Sequence, residues 1–322
     1  MVNFCPFRYE EEMNPSIGIA VITHNAAHLL PQNLPPLLAS SLQPRVMVVN
    51  SSSNDGTVEL AQKMGAETLV VPRSQFNHGA TRELARKTLG TDIVVMITPD
   101  AIPCDGEMIA NLVQPFLEDD KVGASYARQL PHDGANFFES FPRLFNYPAR
   151  GYVRSAADLA RYGNMTFFCS DSCAAWSNTA LDAVGGFTHA LVSEDAIAAA
   201  RLIYAGYKIA YAADAVVKHS HSYSLKQEFK RFFDTGLNRR RNATLLLREE
   251  PDSSHGKRFV AAMFRELSRT RPHLMPYGIL LVAAKLLGYQ LGFHSANAPL
   301  WFKKRMSMQD FYWRNSQYCE KP

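Results

Sequence analysis

Four short apolar stretches decide the fold of this chain: IGIAVIT (residues 17–23), RVMVVN (45–50), ETLVV (67–71) and DIVVMIT (92–98). Each is rich in Val and Ile, which is typical of strands covered on both faces of a parallel sheet. The segments between them, residues 25–40, 56–64 and 78–89, have the pattern of helices. This alternation predicts an α/β fold whose first half is a Rossmann-like, doubly wound sheet.

Polar residues follow each of these strands. Thr23 and Asn25 come after the first, Asn50 and Ser52 after the second, and Asp100 after the fourth. In doubly wound sheets, ligands bind beyond the carboxyl ends of the strands. We therefore expect these side chains to converge on one crevice.

The rest of the chain divides by charge. Residues 1–224 hold 16 Lys and Arg against 22 Asp and Glu, whereas residues 225–322 hold 18 against 8. Residues 106–221 have a mixed pattern, with a helix at 193–205 and short strands at 208–212 and 215–219. We predict a catalytic domain over 1–224 and a helical, basic region over 225–322. That region could face anionic lipid, nucleic acid or a phosphorylated acceptor, or it could be a solvated surface.

An apolar stretch at residues 276–293 is interrupted by Lys285, Gly288 and Gln290, which favours a buried or interfacial helix over a membrane span. The N-terminus lacks the basic and apolar regions of a secretion signal. The five cysteines, at 5, 104, 169, 173 and 319, are scattered, which predicts reduced thiols. These features together predict a cytoplasmic protein.

Asp100 ends an apolar strand, where a carboxylate suits a Mg²⁺ or Mn²⁺ ion that also holds phosphates; a simple turn beside two prolines is the alternative. His219 and His221 flank Ser220, so in extended structure both point to one side. One of them could complete the metal site, because imidazole is also a good ligand for manganese-class ions. The alternative is a hydrogen-bonded or surface pair.

Glu194 and Asp195 open a predicted helix, with Ser193 as a possible N-cap. Acidic residues there are commonly partners of the helix dipole. If they line the crevice, one carboxylate could take the proton of an acceptor hydroxyl during attack on a sugar, with inversion.

Gly79 precedes the predicted helix at 78–89, where free N–H groups with Arg73, His78 and Arg82 could hold a diphosphate. The glycine pattern of nicotinamide-binding proteins and the P-loop are both absent.

Six segments of the sequence resemble the family 2 glycosyltransferases, and among them the bacterial rhamnosyltransferases of O-antigen and exopolysaccharide assembly. The segments occur in the family's order at residues 21–25, 48–57, 76–82, 98–103, 193–195 and 219–221. The resemblance implies a glycosyltransferase A fold, with a Rossmann-like nucleotide-binding half, a mixed acceptor half and here a helical, basic C-terminal extension.

The resemblance also implies roles for individual residues. Thr23, Asn25 and Asn50 would lie near the nucleobase and ribose, with Asp100 on the metal. Asp195 is the favoured general base, His219 the favoured metal ligand and His221 the reserve. The donor would also contact these residues: Ser52, Arg73, His78 and Arg82.

Two residues depart from the family pattern. Asn50 stands where the family commonly has Asp, and an amide oxygen accepts a hydrogen bond more weakly than a carboxylate. Ile102 stands where the metal motif commonly has a second Asp. Metal binding is therefore expected to depend more on the substrate diphosphate.

The segments 283–292 and 307–313 are similar to related rhamnosyltransferases, which implies a dTDP-L-rhamnose donor and a lipid-diphosphate-linked acceptor on the cytoplasmic face of the inner membrane. Ser170, Asp171 and Trp176 are candidate acceptor residues. Aromatic side chains beside them could form an acceptor wall or simply pack in the core; they are Phe137, Phe138, Phe141 and Tyr147.

Three other functions stay open from the sequence. The same fold could use a hexose or N-acetylhexosamine donor, or it could bind a nucleotide sugar without catalysis. Nucleic-acid binding by the basic tail is disfavoured, because the tail lacks aromatic interleaving and any known DNA-binding pattern.

Overall fold

A computed structural model of the chain describes residues 15–247 and 253–314. The N-terminal residues 1–14, which include Cys5, lie outside the described residues, and so does Cys319. The first half contains four parallel strands: β1 Ile17–Thr23, β2 Arg45–Asn50, β3 Glu67–Val70 and β4 Ile93–Ile97. The helices between them are α1 Leu30–Leu38, α2 Thr57–Lys63 and α3 His78–Leu89. The alternation predicted from the sequence is confirmed.

Five further strands extend the sheet: β5 Ile102–Pro103, β6 Val122–Leu130, β7 Tyr152–Arg154, β8 Cys173–Ser177 and β9 Lys208–Lys218. The order is β3-β2-β1-β4-β8-β6-β9-β5, with β7 also on β9. β8 runs antiparallel to β4 and β6, while β6 and β9 are parallel. The carboxyl ends of β1, β2, β4, β6 and β9 therefore share one edge of the sheet, and a separate apolar core covers each face.

The structure corrects two predicted boundaries. The strands expected at 208–212 and 215–219 are one strand, β9, whose pairing with β6 shifts register between Ala127 and Arg128. The helix expected to start at residue 25 starts at Leu30 instead. Asn25 has a φ of 49°, in the left-handed region that a helix excludes.

The remaining helices of the second half are α4 Met108–Glu118, α5 Phe137–Asn146, α6 Leu159–Tyr162, α7 Asn178–Ala183 and α8 Glu194–Tyr204. The C-terminal region adds α9 Leu225–Arg241, α10 Ala243–Leu246, α11 Ser253–Thr270, α12 Met275–His294, α13 Leu300–Met306 and α14 Asp310–Arg314. The predicted division at 224/225 coincides with the start of α9, although the division itself stays a prediction.

α9 and α12 pack closely because glycine lies at their contact. A Cβ added at Gly288 or Gly292 would collide with the backbone carbonyls of Phe229 and Phe233. The buried residues of α12 are Gly278, Leu281, Gly288 and Gly292. Of the two predicted alternatives, a buried helix does not fit most of its surface, and an interfacial helix stays a prediction. Among the described residues, Pro272–His294 is the one helix long and apolar enough to cross a membrane.

Candidate functional site

The ends of β1 and β2 form a hydrogen-bonded base for the crevice. Asn50 Nδ2 donates to Thr23 Oγ1 at 3.2 Å and to Ser53 Oγ at 2.7 Å. Asn50 Oδ1 accepts the Ser53 N–H at 2.8 Å. Thr23 and Asn50 are both buried, so they shape this part of the crevice from beneath.

Two donor-site candidates lie above this base, in turns with left-handed backbone. Asn25 and Ser52 have φ values of 49° and 55°, and both are exposed. Arg73, at the end of β3, donates to Ser51 Oγ at 3.1 Å and lies over the ring of Phe311 at 4.7 Å. These side chains come together at the carboxyl edge of the sheet, as the sequence predicts.

Three predicted metal ligands also meet at this edge. His219 Nε2 and His221 Nδ1 each lie 3.5 Å from Asp100 Oδ2. One ligand atom from each residue lies within 4.8 Å of the other two. Asp100 follows β4 and His219 follows β9, so the shared polarity of these strands brings the three residues together.

Gln129, at the end of β6, determines which nitrogen of His219 can bind a metal. Its Oε1 accepts from Arg143 Nη1 and lies 2.9 Å from His219 Nδ1. Because that oxygen accepts only, Nδ1 carries the proton in neutral His219, and the Nε2 lone pair faces Asp100. Burial lowers the pKa of His219, which favours this neutral form. The His219 Nε2 lone pair and the Asp100 carboxylate are both acceptors and face each other, so a cation between them would satisfy both.

A buried ion-pair network lies beside these ligands. Arg82 Nε is 2.9 Å from Asp171 Oδ2, and Arg82 Nη1 is 2.7 Å from Glu194 Oε1. All three side chains are buried. His78 Nδ1 is 3.4 Å from Arg82 Nη1. Arg82 is thus engaged by protein carboxylates, and it also lines the cavity that His78 borders. Its donor role stays a prediction.

Asp195 differs from its neighbour Glu194 in having no cationic partner at hydrogen-bond distance among the described residues. Its Oδ2 accepts the Asp171 N–H at 3.2 Å, and its Oδ1 accepts the Ala196 N–H at 2.7 Å. Burial, followed by the charge of Glu194, raises the pKa of Asp195 to about 6. Ser193 occupies the predicted cap position without a capping hydrogen bond from its side chain. Asp195 is therefore the carboxylate suited to exchange a proton near neutral pH.

Asp195 lines two cavities. The first, which we call the His78 cavity, has a volume of about 310 Å³ and is also lined by His78 and Thr98. The second, the central cavity, has a volume of about 400 Å³ and is also lined by Arg143 and His219. His78 comes from the first half of the chain's sheet region, whereas His219, a candidate metal ligand, lines the central cavity, so Asp195 borders both cavities of the site.

The candidate acceptor residues separate into two groups. Ser170 lines the central cavity and accepts a hydrogen bond from Gln129 at 3.0 Å. Trp176 is fully buried and donates to Asp171 Oδ1 at 2.8 Å. The structure therefore places Trp176 in the core behind Asp171, away from any acceptor, because it points into the face covered by α7 and α8.

Two of the four residues of the predicted aromatic wall pack against the C-terminal helices. Phe138 lies 4.9 Å from Tyr277, and Phe141 lies 5.3 Å from Phe259, between ring centroids. Tyr147 alone of the four lines the central cavity. Phe138 and Phe141 are half-buried in these contacts, and neither belongs to the apolar cores of the sheet.

Sequence reasoning missed three residues of the site: Gln129, Arg143 and Arg231. Gln129 was hidden within a strand pattern, and its position at the carboxyl end of β6 was the available signal. Arg143 and Arg231 belong to helices, where a single Arg carries no spacing signal. Their contribution depends on how α5 and α9 pack over the sheet edge.

A family model described as "Glycosyltransferase like family 2" matches residues 15–233. The O-antigen chain rhamnosyltransferase RfbN of Salmonella typhimurium is 38% identical over 306 residues, which covers 94% of this chain and 97% of that protein. The O-antigen chain rhamnosyltransferase WbaN of Salmonella anatum is 38% identical over 276 residues, 85% of this chain and 87% of that protein.

Two solved structures share the fold. The mannosyltransferase PcManGT of Pyrobaculum calidifontis, solved with GDP-Man and Mn²⁺, superposes with a TM-score of 0.61 at 17% identity, covering 89% of this chain and 88% of that one. Residues 1–349 of Staphylococcus aureus TarS give a TM-score of 0.54 at 15% identity, covering 94% and 91%. The predicted glycosyltransferase A fold is confirmed.

Proposed function

The chain belongs to glycosyltransferase-like family 2 and is a glycosyltransferase of the O-antigen rhamnosyltransferase type, and we propose that it moves L-rhamnose from dTDP-L-rhamnose to a hydroxyl of a lipid-linked glycan, with inversion. The observation that carries the chemistry is Asp195, a half-buried carboxylate of raised pKa that lines two cavities. The choice of sugar rests on the 38% identity to RfbN over 94% of the chain.

Asp195 would act as the general base. With a pKa of about 6, it is largely ionised at neutral pH and still basic enough to accept a proton. It would take the proton of the acceptor hydroxyl while the oxygen attacks the anomeric carbon and the bond to the diphosphate breaks. Attack from the face opposite the diphosphate inverts the anomeric configuration.

Glu194, Arg82 and Asp171 would position this base. Glu194 is held by Arg82, so its negative charge stays beside Asp195 and keeps the pKa of Asp195 high. The Asp171 N–H fixes one oxygen of Asp195. Glu194 is therefore a positioning residue in this proposal, and Asp195 the residue that receives the proton.

Asp100, His219 and His221 would hold a divalent metal, Mg²⁺ or Mn²⁺. When bound, such an ion neutralises the charge that develops on the leaving diphosphate. The fit rests on the Nε2 lone pair of His219, which Gln129 turns toward Asp100. Asn25, Ser52 and Arg73 would contact the nucleoside at the carboxyl edge of β1–β3, above the base that Thr23 and Asn50 form.

We also propose that the protein works at the cytoplasmic face of the inner membrane, where a lipid-linked acceptor would be found. α12 presents a row of exposed apolar side chains to solvent; they are Ile279, Leu280, Leu286, Leu287 and Leu291. Trp301 nearby in sequence is 67% exposed. The basic excess of residues 225–322 complements anionic lipid, with each nearby Lys or Arg contributing about 1 kcal/mol.

A donor panel tests the proposal. The full chain would be incubated with a lipid-diphosphate disaccharide acceptor, Mn²⁺ or Mg²⁺, and one of dTDP-L-rhamnose, GDP-mannose, UDP-glucose or UDP-N-acetylglucosamine. Product formed only from dTDP-L-rhamnose, and abolished by EDTA, is the expected result. Product from another donor would retain the family mechanism and refute the rhamnosyl assignment. Binding of a donor without turnover on any acceptor would favour a non-catalytic role.

A further inference from the structure

The central cavity is strongly cationic. Three guanidinium groups line it, from Arg143 on α5 and from Arg231 and Arg239 on α9. Asp195 is the only carboxylate among the described residues that line it. The cavity therefore carries an excess of fixed positive charge.

The arginines of α9 are held in a row by the packing of that helix. Arg231, Thr235 and Arg239 are spaced four residues apart, so they share one face and line the cavity together. Phe233 and Gly236 meet α12 on another face. Gly236 lies so close to the backbone of Tyr289 on α12 that a Cβ there would collide with it. This close packing restricts rotation of α9 and keeps Arg231 and Arg239 at the cavity.

Protein carboxylates compensate only part of this charge. Arg231 is 3.1 Å from Glu228, and its guanidinium lies over the ring of Tyr223. Arg143 donates to the neutral amide of Gln129. Within residues 15–247 and 253–314, no carboxylate pairs with Arg143 or Arg239 at salt-bridge distance. Two cations thus remain available to an anionic ligand.

We propose that Arg143 and Arg239, with Arg231, which also lines the His78 cavity, bind the phosphate or diphosphate group of the acceptor. The inference rests on the proposed function, which places the acceptor hydroxyl at Asp195 in this same cavity. A divalent ion held by Asp100, His219 and His221 would balance the two charges of the donor diphosphate. The arginine row would therefore serve a second anion, and guanidinium groups match phosphate oxygens in a bidentate manner.

Equilibrium binding without sugar transfer tests the site. The probe is farnesyl diphosphate, titrated into the full chain already saturated with dTDP and Mn²⁺, with farnesol and inorganic diphosphate titrated in parallel. Arg239→Gln is compared with Arg239→Lys, which keeps the charge. Arg240→Gln is the matched control, since Arg240 is the exposed neighbour and lies over Phe293 instead.

We expect farnesyl diphosphate to bind in the presence of dTDP, farnesol to bind at least tenfold more weakly, and Arg239→Gln to weaken farnesyl diphosphate binding about tenfold. Arg239→Lys should recover most of the affinity, and Arg240→Gln should change it little. Inorganic diphosphate binding as tightly as the lipid form would assign the site to free phosphate and overturn the acceptor assignment. Competition between farnesyl diphosphate and dTDP, or weaker dTDP binding in Arg239→Gln, would assign the arginines to the donor. Absence of transfer activity would leave this binding result intact.

Discussion

Arg82 Nη1 lies 2.7 Å from Glu194 Oε1, in a site where both side chains are buried. This ion pair distinguishes two adjacent carboxylates that look equivalent in the sequence. Glu194 stays ionised because Arg82 stabilises its charge, and the pKa of Asp195 rises because burial and the charge of Glu194 both oppose its ionisation. Glu194 thus positions Asp195, and Asp195 is free to accept a proton.

The pH dependence of turnover should report on this arrangement. Asp195 must be ionised to act as a base, so kcat/KM should fall as pH decreases through about 6. Glu194→Gln removes the neighbouring negative charge, and the acidic limb should move to lower pH by about one unit. Glu118→Gln, an exposed change on α4, is the control. An acidic limb unmoved by Glu194→Gln would contradict the role given to Glu194.

Metal binding should depend on Gln129 as well as on the ligands. Gln129→Leu removes the acceptor that holds the proton on His219 Nδ1, so the apparent affinity for Mn²⁺ should fall about tenfold. Gln129→Glu keeps an acceptor and should retain more of the affinity. The measurement is Mn²⁺ titration by electron paramagnetic resonance, with His219→Ala as the reference for a lost ligand. Equal Mn²⁺ affinity in Gln129→Leu and the wild type would show that this hydrogen bond does not orient the ligand.

The contact between α9 and α12 should tolerate no added methyl group at its glycines. Gly292→Ala places a Cβ against the carbonyl of Phe233, so the free energy of unfolding should fall by about 1–3 kcal/mol. Gly256→Ala, on α11, meets open space and should be neutral or slightly stabilising. Thermal unfolding followed by circular dichroism compares the two. A Gly292→Ala variant as stable as Gly256→Ala would contradict the close packing.

The exposed face of α12 should bind anionic membranes. Replacing Leu286 and Leu287 with Ser should weaken association with phosphatidylglycerol vesicles about tenfold or more, since each side chain is more than half exposed and would be buried in lipid. Leu117→Ser, which changes an exposed leucine of α4, is the control. Vesicle flotation gives the bound fraction. Unchanged flotation, or a concentration-dependent dimer that the double variant abolishes, would assign this face to something other than lipid.

The sequence was sufficient where local pattern determines structure. β1, β2 and α3 have the predicted bounds, because runs of Val and Ile and a helical pattern are local signals. It failed where distant segments meet. The ion pairs of Arg82 with Asp171 and Glu194 were not predicted, because they depend on the packing of α3 against α8, which no local pattern encodes.

The same distinction applies to the metal ligands. Asp100, His219 and His221 could be anticipated, because each follows a strand whose carboxyl end reaches the same edge. The contacts that support these ligands could not be anticipated. Gln129 lies 2.9 Å from His219 because β6 and β9 are parallel neighbours. Their pairing is a property of the whole sheet.

The most direct test of the account is the rate of sugar transfer by Asp195→Asn, measured at saturating donor and metal beside Asp214→Asn, an exposed change on β9. The amide keeps the shape of the side chain and removes the base, so kcat should fall about 10³-fold while donor binding and the unfolding temperature stay close to wild type. Asp214→Asn should transfer sugar normally. An Asp195→Asn variant that folds, binds donor and keeps more than a tenth of the wild-type kcat would contradict the assignment of Asp195 as the base.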